Sequence, residues 1–513
     1  MVCELHDEGV KLFRGDWMEK LVEWLVGQVW SIGLVIFALG AGVFFSIVTR
    51  FLQIRYFKEM IKLLFEGKTS ETGISSFQAF CLALSGRVGI GNIAGVATAI
   101  AFGGPGAVFW MWVMALLGGA SAFVESTLSQ LYKSKVGNEY RGGTPYFIEK
   151  GLKLKWFAVL VAIVVTLSYG ILLPGIQSSS IAVAFENSSS VGKNITGILL
   201  VVLLAAIIFG GVKRIAGVSQ ALVPFMAIGY VIVTCIVLFA NITEIPSMFA
   251  LIFSSALGMD QAFGGIVGAA IAWGVKRAVF SNVAGVGEAT YSSAAAEVSH
   301  PAKQGLVQAF SVYIDTIVVC TATALMILIT GMYNVIPEGK APIVQNMGSV
   351  EAGPIYTQQA VETALPGFGP LFISIAIFFF AFTTLLAYYY IAETTLVYLD
   401  HKMKLHWLKA VLKVVFLIMV YIGSVESASF LWNLGDLGIG SMAWLNLLAI
   451  LLLTKPALKV LKDYERQKKE GKDPVFDPRK AGFEGIEFWE EKCKEIERHR
   501  AKEKVTIDQS VKF

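Results

Sequence analysis

Eleven apolar runs occupy most of this chain, each long enough to cross a bilayer, and they set its class before any motif is considered. A crossing takes roughly 20 mostly apolar residues. The runs lie at about 25–49, 77–102, 106–131, 157–185, 195–211, 217–240, 261–297, 304–331, 369–399, 408–426 and 437–454, and are called segments 1 to 11 below. Charge is partitioned to match. Of 42 Lys/Arg and 38 Asp/Glu, 29 lie between Lys455 and Phe513, leaving 51 for the preceding 454 positions. A globular surface needs about a quarter of its residues charged. The body is therefore an all-α polytopic protein with the lipid bilayer as its solvent, since backbone polar groups there must be satisfied within helices.

Other classes fall with this reading. The net charge of +4 comes from scattered loop residues and the tail, which leaves nucleic acid no basic face. The five cysteines are far apart, with neither a disulfide framework nor a zinc spacing. The five histidines sit in loops, tails or helix ends, which disfavours a membrane metalloenzyme. The first apolar run is too long for a cleavable signal peptide and lacks a small-residue cleavage site. Pro174 predicts a kink in segment 4. Pro246–Gly258 is apolar but short, an interfacial helix rather than a crossing.

Loop charge gives an orientation. The loops after segments 1, 3, 5, 7 and 9 hold 17 Lys/Arg, and the opposite set holds 5. Positive loops stay inside, so the N-terminus is expected outside and the tail in the cytoplasm. Sequons at Asn187, Asn194 and Asn241 all fall on the expected outer side.

The chain also repeats itself. Gly86–Ala99 reads GRVGIGNIAGVATA and Lys276–Ala289 reads KRAVFSNVAGVGEA. At an offset of 190 they share Arg87/Arg277, Asn92/Asn282, Ala94/Ala284, Gly95/Gly285, Val96/Val286 and Ala99/Ala289. Each stretch interrupts an apolar segment, and segments 2 and 7 are five crossings apart, so they run in opposite directions. Two inverted five-span halves, each opening on a broken helix, form a transporter architecture. Gly86, Gly89 and Gly91 weaken the helix by about 1 kcal/mol each relative to Ala. Opened N–H groups at a half-helix start hold a carboxylate, and opened carbonyls ligate a small cation. The alternative is that these glycines only permit close helix packing.

At these residues the sequence resembles the sodium:alanine (alanine or glycine:cation) symporter family. Ser85-Gly86-Arg87-Val88-Gly89-Ile90-Gly91-Asn92-Ile93-Ala94-Gly95-Val96 is similar to the family signature. Gly142–Tyr146 and Gly274–Arg277 with Phe280-Ser281-Asn282 resemble further blocks. The similarity runs from about 25 to 454. It implies a leucine-transporter-like 5+5 inverted repeat preceded by one extra helix. The division is then an extracellular segment 1–24, the extra helix and cytoplasmic loop 25–76, repeats 77–240 and 241–454, and a charged cytoplasmic tail 455–513. One departure is that family members commonly read Ser-Asn-Glu-Ala-Gly, where this chain has Val283 and an acid five residues on, Glu288.

The resemblance implies site residues. The substrate carboxylate is expected at the N–H groups of Gly89, Ile90 and Gly91. Asn92 is a side-chain partner, a role compatible with the blander one of N-cap for the second half-helix. The coupling Na⁺ is expected at carbonyls near Ser85 and Val88, with hydroxyls of Thr383 and Thr384; the alternative for each Thr is a bond to its own helix backbone. Gln177 is a pocket wall or an interhelical bond. Trp273 and Gly274 are pocket walls that limit side-chain size, or packing residues. Arg87, Lys276 and Arg277 lie near membrane depth and need acids, with Glu125, Glu288, Asp315, Glu393, Glu426 and Asp436 available. The expected function is Na⁺ symport of a small neutral amino acid, alanine or glycine, across the plasma membrane, not an enzyme. H⁺ coupling through one of the acids is the alternative. A channel lacks its filter motif here and an intramembrane enzyme its catalytic groups. Glu487–Lys504 alternates charge at helical spacing, which reads as a solvated cytoplasmic helix rather than a binding module.

Overall fold

A computed structural model describes residues 16–66, 70, 72–403 and 407–495. It is mostly helical, with the short hairpins Ser134–Val136/Glu139–Arg141 and Asn334–Val335/Val344–Gln345. Among the described residues, eight helices are long and apolar enough to cross a membrane: Trp17–Val48, Gly106–Leu131, Lys155–Ser189, Gly211–Ala240, Pro301–Thr330, Gly369–Asp400, Leu408–Val425 and Ala428–Leu452. Lys193–Ile208 is shorter, and segments 2 and 7 are each two half-helices, Ser76–Arg87 with Ala94–Gly103 and Val267–Asn282 with Ala289–Ala295. Together they account for the eleven expected segments. Ile245–Ala256 is too short to join them.

Two boundaries differ from the hydropathy reading. Segment 1 begins at Asp16 and is interrupted at Trp30–Ser31, so part of the expected 1–24 terminal stretch is helical. Segment 11 begins at Ala428 rather than 437, because Asp436, which dilutes the apolar window, is neutralised inside the protein. In segment 4 the helix leaves α geometry over Ser168–Leu172 and restarts with Pro174 in its first turn, where a missing N–H does no harm.

The expected repeat is visible in the packing. Segments 2, 3, 4 and 5 each pack against their counterparts 7, 8, 9 and 10. Segments 3, 7 and 8 form one tight group, segments 4, 9 and 10 another, and segment 2 lies between them against 6, 7 and 9. Segment 1 lies outside this core against 3 and 11.

The tail is not a free helix. Thr454–Lys469 and the helical stretch from Glu487 fold back over one end of the bundle. Trp489 is buried, and its indole N–H donates to Gln130 O at 3.0 Å. Phe476 N–H donates to Ser299 O (2.9 Å), Lys303 pairs with Asp473 (2.5 Å) and Lys492 pairs with Glu297. The solvated-helix reading is therefore corrected over the described residues, and the rest of that stretch, from 496 on, lies outside them.

Candidate functional site

The first break begins where the 76–87 half-helix ends. Ser75 starts this half-helix with a reciprocal cap, its hydroxyl accepting from Gln78 N–H and its own N–H donating to Gln78 Oε1. At Val88 the backbone leaves helical geometry (ψ 85°), Gly89 is extended, and Ile90–Asn92 form one 3₁₀ turn before the helix resumes at Ala94. Gly89 is needed for proximity: a Cβ there would lie 2.6 Å from Thr384 Oγ1 and 3.2 Å from Gln177 Oε1. Gly91 lies against Ser281 and the Phe280 ring.

Polar side chains hold the opened turn. Gly89 N–H donates to Asn92 Oδ1 (2.9 Å), and Asn92 Nδ2 donates to Asp315 Oδ1 (2.7 Å). Asn92 thus closes its own turn and ties it to segment 8. The N-cap reading is not met, because the following half-helix is preceded by Ile93, without a side-chain cap. Ile90 N–H donates to Gln177 Oε1 at 3.2 Å, while Gln177 Nε2 donates to the Tyr388 hydroxyl at 3.3 Å. Gln177 therefore bridges segments 4 and 9 across the break.

Thr383 and Thr384 do different things, since neighbours on a helix point about 100° apart. Thr384 Oγ1 faces the break, 2.8 Å from Ser85 O and 3.5 Å from Val88 O, and 2.9 Å from Phe380 O in its own helix. Thr383 Oγ1 bonds Phe379 O and Phe380 O, at 3.0 and 3.1 Å. Carbonyls of Ser85, Val88 and Phe380 and the Thr384 hydroxyl thus converge, with Thr383 one bond away through Phe380. Phe380 was missed by sequence reasoning; its signal was position, one turn before Thr384. These neutral oxygens fit a small hard cation.

Trp273 and Gly274 are not at the break. A Cβ on Gly274 would lie 2.5 Å from Ala107 O, so this glycine serves close packing of segment 7 on segment 3. Trp273 stacks on Phe102 (4.7 Å) and lines a cavity of about 630 Å³ at the bundle end opposite the tail. The ring that reaches the break is Phe280, seven residues on, or roughly 10 Å deeper along the helix. It packs against Trp432 at 5.1 Å.

The second break mirrors the first. Segment 7 stops at Asn282; Val283 is left-handed (φ 45°), and Gly285 and Gly287 also have positive φ. Asn282 Oδ1 accepts from Ala284 N–H (3.0 Å) and Nδ2 donates to Thr316 Oγ1 (3.1 Å). The paired arginines differ. Arg277 and Lys276 share Asp436, at 3.1 and 2.8 Å. Arg87 bonds Gln308 O (3.1 Å) and the Ser311 hydroxyl, and among the described residues no carboxylate lies within ion-pair distance of it. Glu125, Glu288 and Asp315 feel its charge from farther away. Glu288 accepts from the Tyr169 hydroxyl (2.9 Å), and its other oxygen, without a partner among the described residues, abuts Gly86.

At the tail end, burial holds the His300 imidazole below its ordinary range despite its contact with Asp463 (3.3 Å). Burial pushes Asp463 up, but bonds from His300 and Gln467 and the charge of Arg466 outweigh it and leave its carboxyl below the usual range.

The sequence model of the sodium:alanine symporter family matches residues 15–478. The chain is 52% identical over 444 residues to the sodium/proton-dependent alanine carrier protein of Bacillus sp. (strain PS3), covering 86% of this chain and 100% of that one. It is 36% identical over 464 residues to the sodium/alanine symporter AgcS of Methanococcus maripaludis, covering 88% and 99%. Among solved structures, MhsT in complex with L-phenylalanine superposes with a TM-score of 0.53 at 15% identity, covering 75% of this chain and 90% of that one. That last likeness concerns the fold.

Proposed function

The chain belongs to the sodium:alanine symporter family, and we propose that it carries alanine or glycine into the cell with Na⁺ by alternating access. The observation that carries this reading is the oxygen cluster at the first break. Three carbonyls, from Ser85, Val88 and Phe380, meet the Thr384 hydroxyl, with Thr383 adjoining. All are neutral oxygens from two segments, a donor set suited to a hard monovalent cation.

The amino acid binds beside this cluster. Its carboxylate takes the N–H groups of Gly89, Ile90 and Gly91, at the positive end of the following half-helix. Gln177 must then release Ile90 N–H, which frees its carboxamide for the substrate, and Asn92 Oδ1 must release Gly89 N–H. Asn92 acts by positioning, holding the turn open against Asp315. Cation and substrate use the same seven-residue stretch, Ser85–Gly91, so each raises the other's affinity by the same factor. The loop-charge bias supports an external N-terminus and a cytoplasmic tail, and the packing of counterpart segments supports the repeats 77–240 and 241–454 after the extra helix in 25–76. Proton coupling is the second reading, favoured by the unpartnered Glu288 oxygen.

Counterflow of labelled alanine in proteoliposomes tests the function, with a Na⁺ gradient, a pH gradient or neither. Na⁺-driven uptake is expected, with Thr384→Ala raising the Na⁺ requirement more than Thr383→Ala. Uptake that ignores Na⁺ in the wild type, or equal Na⁺ dependence in both variants, would overturn the assigned cation site.

A further inference from the structure

A groove of about 760 Å³ opens at the tail end of the bundle and shares no residue with the transport site. Its walls are the end of segment 1, Val48–Arg50, and the tail helix Thr454–Lys469 that follows segment 11. Four cations line it, Arg50, Lys462, Arg466 and Lys469, against two acids, Glu465 and Glu470. Both acids are engaged already, Glu465 by Arg55 at 2.8 Å and Glu470 by Lys472 at 2.7 Å. Arg466 is paired with Asp463. Arg50, Lys462 and Lys469 are exposed, and among the described residues no carboxylate pairs with any of them. Arg50 is also placed at a conformational cost. It and Phe51 have positive φ, 57° and 52°, which is uncommon without glycine. Arg55 holds this turn, Nε donating to Arg50 O (2.7 Å) and Nη2 to Thr49 O (2.9 Å). On the same side Ile47, Phe51 and Ile54 are exposed apolar residues. The groove therefore has unpaired cations where helices leave the hydrocarbon, with an apolar flank beside them.

We propose that this groove binds the headgroup of an anionic phospholipid, its phosphate held between Arg50 on segment 1 and Lys462 and Lys469 on the tail helix. The Arg50 guanidinium offers the phosphate a fork of donors, and the two lysines add point charges. Basic residues just beyond a membrane helix, and basic pockets between helices, suit anionic lipid heads. A free phosphate would match the cations equally but would gain nothing from the flank. The acyl chains of a lipid cover Ile47 and Phe51 along segment 1, and this decides for the lipid. Once seated, the lipid bridges segment 1 to the tail helix and strengthens the docking of the tail.

Thermal unfolding of the full chain in detergent micelles tests this, with dioleoylphosphatidylglycerol, dioleoylphosphatidylcholine or sodium phosphate added. Wild type is compared with the triple variant Arg50→Gln/Lys462→Gln/Lys469→Gln. The control is Lys135→Gln/Lys153→Gln/Lys155→Gln, which removes three exposed cations from the loop after segment 3. Phosphatidylglycerol is expected to raise the wild-type Tm saturably, and the other two additives to leave it nearly unchanged. The half-saturating phosphatidylglycerol concentration should rise about tenfold or more in the groove variant and change little in the control. Lys462→Gln/Lys469→Gln leaves the Arg50 turn intact and should show most of that shift, so it decides the matter if the triple variant does not fold. Equal shifts in groove and control variants would reduce the effect to diffuse surface charge and overturn the site. Equal stabilisation by phosphatidylcholine overturns it too. The same stabilisation by phosphate alone makes this a soluble-anion site and overturns the lipid assignment.

Discussion

The shared acid of segment 11 permits a quantitative test of how the membrane interior holds its charges. Asp436 bridges Lys276 at 2.8 Å and Arg277 at 3.1 Å, and the side chains of Asp436 and Arg277 are only 3% and 4% exposed. Replacing Asp436 by Asn keeps the shape and leaves two cations facing each other. Breaking a buried pair by removing one partner costs about 3–5 kcal/mol, and a lone cation at membrane depth at least about 2.5 kcal/mol. Lys276 is 16% exposed and reaches cavity water, so its share is discounted. A loss of about 3 kcal/mol is expected for Asp436→Asn. Lys276→Gln leaves a balanced pair, so its loss is expected near or below about 1 kcal/mol, the range of a pair near water. Reversible SDS titration in mixed micelles gives both values on one scale. Equal losses for the two variants would refute the charge-balance argument and leave side-chain packing as the role of this cluster.

Two further outcomes follow from contacts elsewhere. A Cβ on Gly86 would overlap the free oxygen of Glu288, so Gly86→Ala should lower stability by about 1–3 kcal/mol, as overpacking does; adding Glu288→Ala should recover most of it in the same titration, and no recovery would place the strain elsewhere. The docked tail should loosen in acid. His300 titrates below its ordinary 6.5 when folded, so the undocked form takes up the proton first, and docking stability falls as pH drops below about 6.5 toward the lowered value. Asp463 adds a loss of the same sign only below its ordinary 3.8. Amide exchange over 454–495, corrected for intrinsic rates, should be faster at pH 5.5 than at pH 7.5, and equal protection at both would contradict the assignment.

Much of this fold was legible because a bilayer permits few solutions. Eleven apolar runs and a fourteen-residue repeat were enough to expect an inverted transporter. What the sequence hid were relations between distant residues. Segment 11 was started nine residues late because Asp436 breaks its hydropathy, and the partners that neutralise Asp436 lie 160 and 159 positions away. The Thr383–Thr384 pair was evident, but only helix phase decides which hydroxyl meets Ser85 and Val88. Trp273 is the aromatic expected in the pocket wall, and depth along the helix brings Phe280 to the break instead. The docked tail did leave a signal, since Ile486, Trp489 and Cys493 recur at helical spacing among the charges and form an apolar stripe.

The repeat carries meaning beyond fold symmetry. Asn92 and Asn282 occupy equivalent places, and each bonds a backbone N–H in its own break while donating to segment 8. Their acceptors, Asp315 and Thr316, are consecutive residues in a stretch where segment 8 departs from α geometry, and Thr316 in turn donates to Asp315 at 2.7 Å. Ser281 also donates to Asp315, at 3.0 Å. One short widened turn therefore holds both breaks at once. Such a turn can exchange hydrogen bonds between α and wider spacing at small cost, which is why widened turns recur at functional positions. The two halves are thus held by neighbouring acceptors, Asp315 and Thr316, on one turn of segment 8.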